Sequence, residues 1–206
     1  MENIIVRQAV LSDLPYIYDV CLKTGDSGKD ASALCNDPYL IGHYYAAPYL
    51  VYQKGVCFVA EYEKRPKGYI VAALDTAAFN RWMENIWLPP LRKQFPQNDA
   101  VSYTKKEEDI ISLIHKQHYP ADLMNQTPLT DYPAHLHIDL LPVIQNLGIG
   151  KILMDNLFNE LRKQNIPGLH LGVGLSNHGA ICFYQKMGFD ILQEHGWGYT
   201  MGRAVN

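Results

Sequence analysis

Residues 134–151 read as a strand that runs directly into a glycine loop and then a helix, and few folds accommodate that junction. The strand ends in His137-Ile138-Asp139-Leu140-Leu141-Pro142, and Gln145-Asn146-Leu147-Gly148-Ile149-Gly150-Lys151 opens the helix. A helix start offers N–H groups without intrahelical partners and a partial positive charge, so it suits an anion such as a pyrophosphate. Glycines at 148 and 150 remove side chains and let backbone approach a ligand, and Lys151 can add a charge. The opposing reading is that these glycines only let the helix pack on the sheet. A dinucleotide fold would need Gly-x-Gly-x-x-Gly, and a P-loop would need Gly-x4-Gly-Lys-Ser/Thr; neither occurs.

The rest of the chain fits an α/β sheet. Residues 3–9 alternate as an opening strand. Ser12 is placed to cap a helix carrying Leu14, Ile17, Tyr18, Cys21 and Leu22 at helical period, which Gly25-Asp26-Ser27-Gly28 breaks. A second helix is expected over 37–52. Residues 56–62 and 67–74 read as a hairpin turning at Glu63-Lys64-Arg65-Pro66. After the glycine loop come a helix over 147–164, a strand over 168–173, a helix over 177–187 and a hairpin around Gly196-Trp197-Gly198. Residues 76–132 read as a helical, aromatic insertion beside the site, carrying Trp82, Trp87, Tyr103, Tyr119 and Tyr132. It is expected to be interrupted at Pro89-Pro90, with a further helix over 105–118.

Composition narrows the function. Hydrophobic residues make up 48% and charged residues 19% of 206, as in an ordinary globular domain. A net charge of -3 lacks the basic field that nucleic-acid binding requires. The start of the chain has no signal-peptide pattern, and no run approaches the roughly 20 apolar residues of a membrane span. Cys21, Cys35, Cys57 and Cys182 show no Cys-x-x-Cys spacing, so reduced thiols in a cytoplasmic protein are expected. The partner class is a small molecule, and the chain is expected to be a monomer or homodimer.

Two motifs carry a family resemblance. Pro142-x-x-Gln145-x-x-Gly148-Ile149-Gly150-Lys151-x-Leu153 resembles motif A of the GNAT acetyltransferases. Asn177-x-x-Ala180-x-x-Phe183-Tyr184-x-Lys186-x-Gly188-Phe189 resembles their motif B. Together they span about residues 134–190, in the family's order. The resemblance implies the GNAT fold, a mixed central sheet flanked by helices, in one domain over residues 1–206. It implies acetyl-CoA as co-substrate, held by Leu140, Leu141, Gln145, Asn146, Leu147, Gly148, Ile149, Gly150, Lys151 and Asn177. It implies that the backbone N–H near Leu140 meets the thioester carbonyl and that Tyr184 serves the leaving thiolate. Asp75-Thr76-Ala77-Ala78-Phe79, Trp87-x-Pro89 and Pro133-Ala134-His135-Leu136-His137-Ile138-Asp139 look more narrowly like stand-alone relatives of the acetyltransferase-like domain of O-GlcNAcase. The activity implied is N-acetyl transfer to a small amine, an amino sugar or amino acid; the alternative is a non-catalytic acyl-CoA-binding module.

The strand before the loop supplies the acceptor-side candidates. Alternation puts His135, His137 and Asp139 on one face and Leu136, Ile138 and Leu140 on the other. A polar face on a central strand points to a cavity. Asp139 or His137 can be the general base, and His135 an acceptor-binding group. His135 and Asp139 lie roughly 13 Å apart along a strand, too far to share one metal ion, and no metal is expected. Asp75 lines the pocket or caps a helix. His115 and His118 read as a solvated helix face.

Overall fold

The structure is a computed structural model that describes residues 4–52, 56–98, 101–116 and 128–205. Among the described residues, seven strands form one sheet in the order β1-β2-β3-β4-β5-β7-β6. They are β1 (Ile5–Gln8), β2 (Phe58–Tyr62), β3 (Arg65–Ala73), β4 (Ala134–Leu140), β5 (Gly168–Gly174), β6 (Asp190–His195) and β7 (Gly198–Ala204). All neighbouring pairs are antiparallel except β4 with β5, so the sheet is mixed, as expected.

Each face of the sheet carries its own core. On one face lie α1 (Leu14–Thr24), α2 (Leu40–Tyr45), α3 (Ala47–Tyr52), α4 (Thr76–Trp82), α5 (Leu88–Gln94) and α6 (Lys105–His115). The short α7 (Pro128–Asp131) leads into β4. The other face is covered by α8 (Ile149–Lys163) and α9 (His178–Lys186), with Leu153, Met154, Leu157 and Leu161 of α8 fully buried against Ala60, Ile70 and Leu136. The apolar stripe at helical period in α8 is what directs that face inward.

Several local expectations change. Ser12 does not cap α1; a 3-10 turn (Leu11–Asp13) precedes the helix. Asp13 instead accepts from the Val10 N–H at 2.8 Å and from Arg7 at 2.7 and 2.8 Å. The expected helix over 37–52 splits at Ala46, which leaves helical geometry at φ -135°. The β2–β3 turn is tighter than expected: only Glu63 and Lys64 turn, both at positive φ, while Arg65 and Pro66 pair within the ladder.

Pro89-Pro90 does not end the helical run. A π-helical turn (Met83–Trp87) precedes α5, and the Leu88 N–H reaches back five residues to the Met83 carbonyl. That widened turn leaves room for two rings and absorbs two missing donors. His115 is held rather than solvated, its Nε2 lying 2.8 Å from the Phe95 carbonyl oxygen; His118 and Tyr119 lie outside the described residues. The four cysteines form no disulfide.

Helix α6 is tied to the α1–α2 connection by one buried carboxylate, Glu107. Thr104 and Glu107 form a reciprocal capping box at the start of α6. Glu107 also accepts from the backbone N–H groups of Asn36 and Asp37, at 2.7 and 2.9 Å. Burial pushes its carboxyl up, but the donors from Thr104, Asp37 and Asn36 outweigh that and hold it below the usual range. A depressed folded pKa adds stability above the unfolded value, lost as pH falls through the folded one. Glu107→Gln keeps one acceptor oxygen for three backbone donors and is expected to lose about 1–3 kcal/mol at pH 7. At about 2–4 °C per kcal/mol, thermal melts will show it. The gap to wild type should close as pH falls below the carboxylate range.

Candidate active site

The site is built where β4 parts from β5. Along β3, β4 pairs continuously from Gly68↔Leu140 to Ala73↔His135. With β5 it pairs only at Ala134↔Leu169 and His135↔His170. Beyond that point the strands diverge and leave an opening beside residues 137–140. The Leu141 N–H donates to the Lys67 carbonyl at 2.8 Å. In an antiparallel ladder the next residue back faces the other edge, so the Leu140 N–H and carbonyl point into that opening. The Gln145 amide Nε2 accordingly reaches the Leu140 carbonyl, at 2.7 Å.

The glycine loop follows as a 3-10 turn (Pro142–Ile144), then Asn146 at φ +59° and Gly148 at φ +78°. Gly148 is the N-cap of α8 and offers no side chain to the first turn, so the N–H groups of residues 149–151 are left for a ligand. A Cβ on Gly148 would meet no atom within 4 Å, whereas one on Gly150 would meet the Phe183 ring at 3.1 Å. The two glycines therefore differ: Gly148 borders open space in an αL conformation, and Gly150 lets α8 pack close to α9. An anion fits this loop.

A cavity of about 470 Å³ runs from the glycine loop to the β4 edge. Of the residues expected to bind the co-substrate, Leu140, Gln145, Asn146, Gly148, Ile149, Gly150, Lys151 and Asn177 line it. Leu141 instead joins the core on the α1 face, and Leu147 projects outward, 58% exposed. The Lys151 ammonium pairs with Asp155 at 2.6 Å, an exposed contact worth about 0.3–0.5 kcal/mol that does not commit the charge. Asn177 also caps α9, accepting from the Ala180 N–H at 3.2 Å. The end of α1 and the connection after it supply Thr24, Ser27, Gly28 and Lys29, which the sequence reading does not include. The sequence there offers only a glycine turn followed by a lysine, with no motif; in the structure Ser27 and Gly28 take positive φ.

Asp139 and Tyr184 face this same cavity. The Tyr69 hydroxyl donates to Asp139 Oδ2 at 2.5 Å. Burial raises the Asp139 carboxyl above the ordinary range, and hydrogen bonds from Tyr69 and Thr24 only partly oppose it. A carboxylate displaced in that direction is a stronger base than a solvated one. Tyr184 is buried, and burial followed by the Asp139 charge raises its phenol well above the usual value. It stays protonated and can donate a hydrogen bond.

His135 and His137 share a face with Asp139, as the alternation required, but they line a second cavity of about 280 Å³ with His170 and residues of α2, α3 and α4. Phe79, Asn80, Met83 and Leu113, all within residues 76–132, line that second cavity too. Asp75 lines neither cavity; it is the N-cap of α4, accepting from the Ala78 N–H at 2.9 Å. Burial, then the neighbouring His170, push His137 down to about 4. That leaves a neutral imidazole of low basicity. Among the described residues no group of three or more His, Cys, Asp or Glu could hold a metal ion.

The sheet and its glycine loop have the GNAT fold, and residues 122–189 match the Acetyltransferase (GNAT) family. The chain is similar over its whole length to the structure of SsHAT, with a TM-score of 0.89, 29% identity and 99% of each chain covered. It is 35% identical over 60 residues to [Ribosomal protein bS18]-alanine N-acetyltransferase of Escherichia coli (strain K12), covering 29% of this chain and 40% of that protein. It is 39% identical over 49 residues to Probable N-acetyltransferase san of Drosophila melanogaster, covering 23% of this chain and 27% of that one. The chain thus spans well under half of these curated relatives. No helix among the described residues is long and apolar enough to cross a membrane.

Proposed function

We propose that this chain is an acetyl-CoA-dependent N-acetyltransferase that acylates a small amine in the cytoplasm, working as one domain with residues 76–132 as an insertion against the acceptor side. The observation that carries the reading is that Asp139, the Leu140 N–H edge, Tyr184 and the first turn of α8 all face one cavity where β4 and β5 part. When bound, acetyl-CoA supplies an activated acyl group on a thiol leaving group. The α8 N-terminus and Gly148 hold its pyrophosphate. The Leu140 N–H donates to the thioester carbonyl as charge develops there. Asp139 takes a proton from the acceptor amine, and the Tyr184 hydroxyl donates to the departing sulfur.

The panel of small acceptors holds amino sugars and amino acids, the classes the resemblance implies, together with aromatic amines. The narrower likeness to O-GlcNAcase-type domains is supported by where its motifs fall: Thr76, Phe79, His135 and His137 line the second cavity. The bS18-alanine enzyme acts on a protein, so a peptide amine belongs in the assay alongside the small acceptors. Thiol release from acetyl-CoA across that panel tests the proposal. Acyl transfer to at least one amine is expected; acetyl-CoA binding without transfer to any of them identifies a non-catalytic module instead. Tyr184→Phe should spare cofactor affinity and lower turnover by about 10² or less, because a phenol held so firmly protonated acts as a hydrogen-bond donor rather than a proton source. Wild-type turnover in that variant leaves Tyr184 as packing.

A further inference from the structure

The second cavity holds a chain of hydrogen bonds whose direction is fixed from one end. The Pro133 carbonyl can only accept, so the Thr76 hydroxyl, 2.7 Å away, donates to it. Thr76 Oγ1 then accepts from His135 Nδ1, at 2.8 Å. His135 is buried and held neutral, with burial and the nearby histidines His170 and His137 driving its pKa well down. Its Nε2 is therefore a lone pair, and the Tyr49 hydroxyl donates to it at 2.7 Å. The single Tyr49 proton being used, His137 Nε2 at 3.1 Å must donate to the Tyr49 oxygen. In a neutral imidazole that leaves the lone pair on Nδ1 of His137, a residue that lines the cavity.

The rest of the wall selects what meets that lone pair. Tyr45, Tyr49, Phe79, Met83 and Leu113 give it an aromatic and aliphatic lining, and among the described residues no Asp, Glu, Lys or Arg side chain lines it. Stripping water from an ammonium costs several kcal/mol without a counter-charge, and a cation–π contact returns about 0.5–2 kcal/mol. An uncharged ring loses nothing comparable and gains from burial. Asp139 lies two residues along the same strand face, about 7 Å away. The cavity therefore lies beside the proposed point of transfer, along the same face of β4.

We propose that this cavity is the acceptor's recognition pocket and takes an uncharged aromatic group bearing an N–H donor, an arylamine, whose hydrogen is received by His137 Nδ1. Thr76, His135 and Tyr49 are positioning residues that fix the tautomer of His137. The assignment of the pocket to the acceptor rests on the acetyl-transfer reading; its chemistry does not. Calorimetry on the full chain with CoA present compares 4-methylaniline, neutral at pH 7.5, with 4-methylbenzylamine, a cation there. The arylamine is expected to bind at least tenfold more tightly. Met83→Trp, which fills the cavity, should abolish its binding and leave CoA affinity unchanged. Nitrogen NMR of the wild type should show His137 protonated at Nε2 only, and Tyr49→Phe should lose that preference. Equal or tighter binding of the cation, no arylamine binding, arylamine binding that survives Met83→Trp, or His137 protonated at Nδ1 each overturns the proposal. Arylamine binding without acyl transfer leaves the pocket standing and removes the transferase reading.

Discussion

Asp139→Asn is expected to lower kcat/KM for the amine by about 10²- to 10⁴-fold while CoA affinity stays within a few-fold. The substitution keeps the shape and an oxygen for the Tyr69 hydroxyl, which donates at 2.5 Å in the native protein. It removes the only carboxylate that lines the cavity among the described residues. Stability separates a base from a structural carboxylate. Burial raises the Asp139 carboxyl, so the folded state binds its proton more tightly than the unfolded state. Stability then falls as pH rises from the ordinary carboxylate range through the folded pKa. The uncharged amide escapes that penalty, so the variant should melt at or above wild type at pH 7, with its advantage shrinking in acid. The acid limb of wild-type kcat/KM should likewise lie above the usual carboxylate range and vanish in the variant. A variant that melts lower yet turns over normally returns Asp139 to a structural role.

What the sequence made legible was local or periodic. The glycine loop is a run of seven residues whose conformation depends on Gly148 and on a helix start, both visible without tertiary knowledge. The polar face of β4 followed from alternation alone. What was hidden depended on partners distant in sequence. Asp75 reads equally as a cap or a ligand until the path of α4 is known, and capping satisfied it locally. His135 and His137 looked like companions of Asp139 at one site. Tyr49, 86 and 88 residues away, turns them to a second cavity instead. The Pro89-Pro90 pair was read against an α-helix, whereas a π turn removes the conflict between ring and carbonyl. Thr24 to Lys29 carried no motif and entered the site only because α1 ends beside β4.

Gly148→Glu is expected to weaken acetyl-CoA binding by about ten- to a few-thousand-fold, from two separable terms. The residue sits at φ +78°, where a non-glycine residue costs on the order of 1–3 kcal/mol. The carboxylate then stands at the N-terminus of α8, where a bound pyrophosphate would draw roughly 0.3–2 kcal/mol from the helix charge. At 1.4 kcal/mol per tenfold, strain and repulsion together give that range. Because a Cβ here meets no atom within 4 Å, Gly148→Ala isolates the first term: it should lose stability but only part of the affinity. The remaining difference between Ala and Glu is electrostatic and should shrink as salt is raised from about 0.05 to 0.5 M, because the screening length falls below the distance between the charges. Gly150→Ala should behave differently, since its Cβ would press on Phe183 at 3.1 Å and so lower the melting temperature first. Calorimetry on the three folded variants decides it. A Gly148→Glu protein that binds acetyl-CoA as tightly as wild type would show that the first turn of α8 does not carry the pyrophosphate.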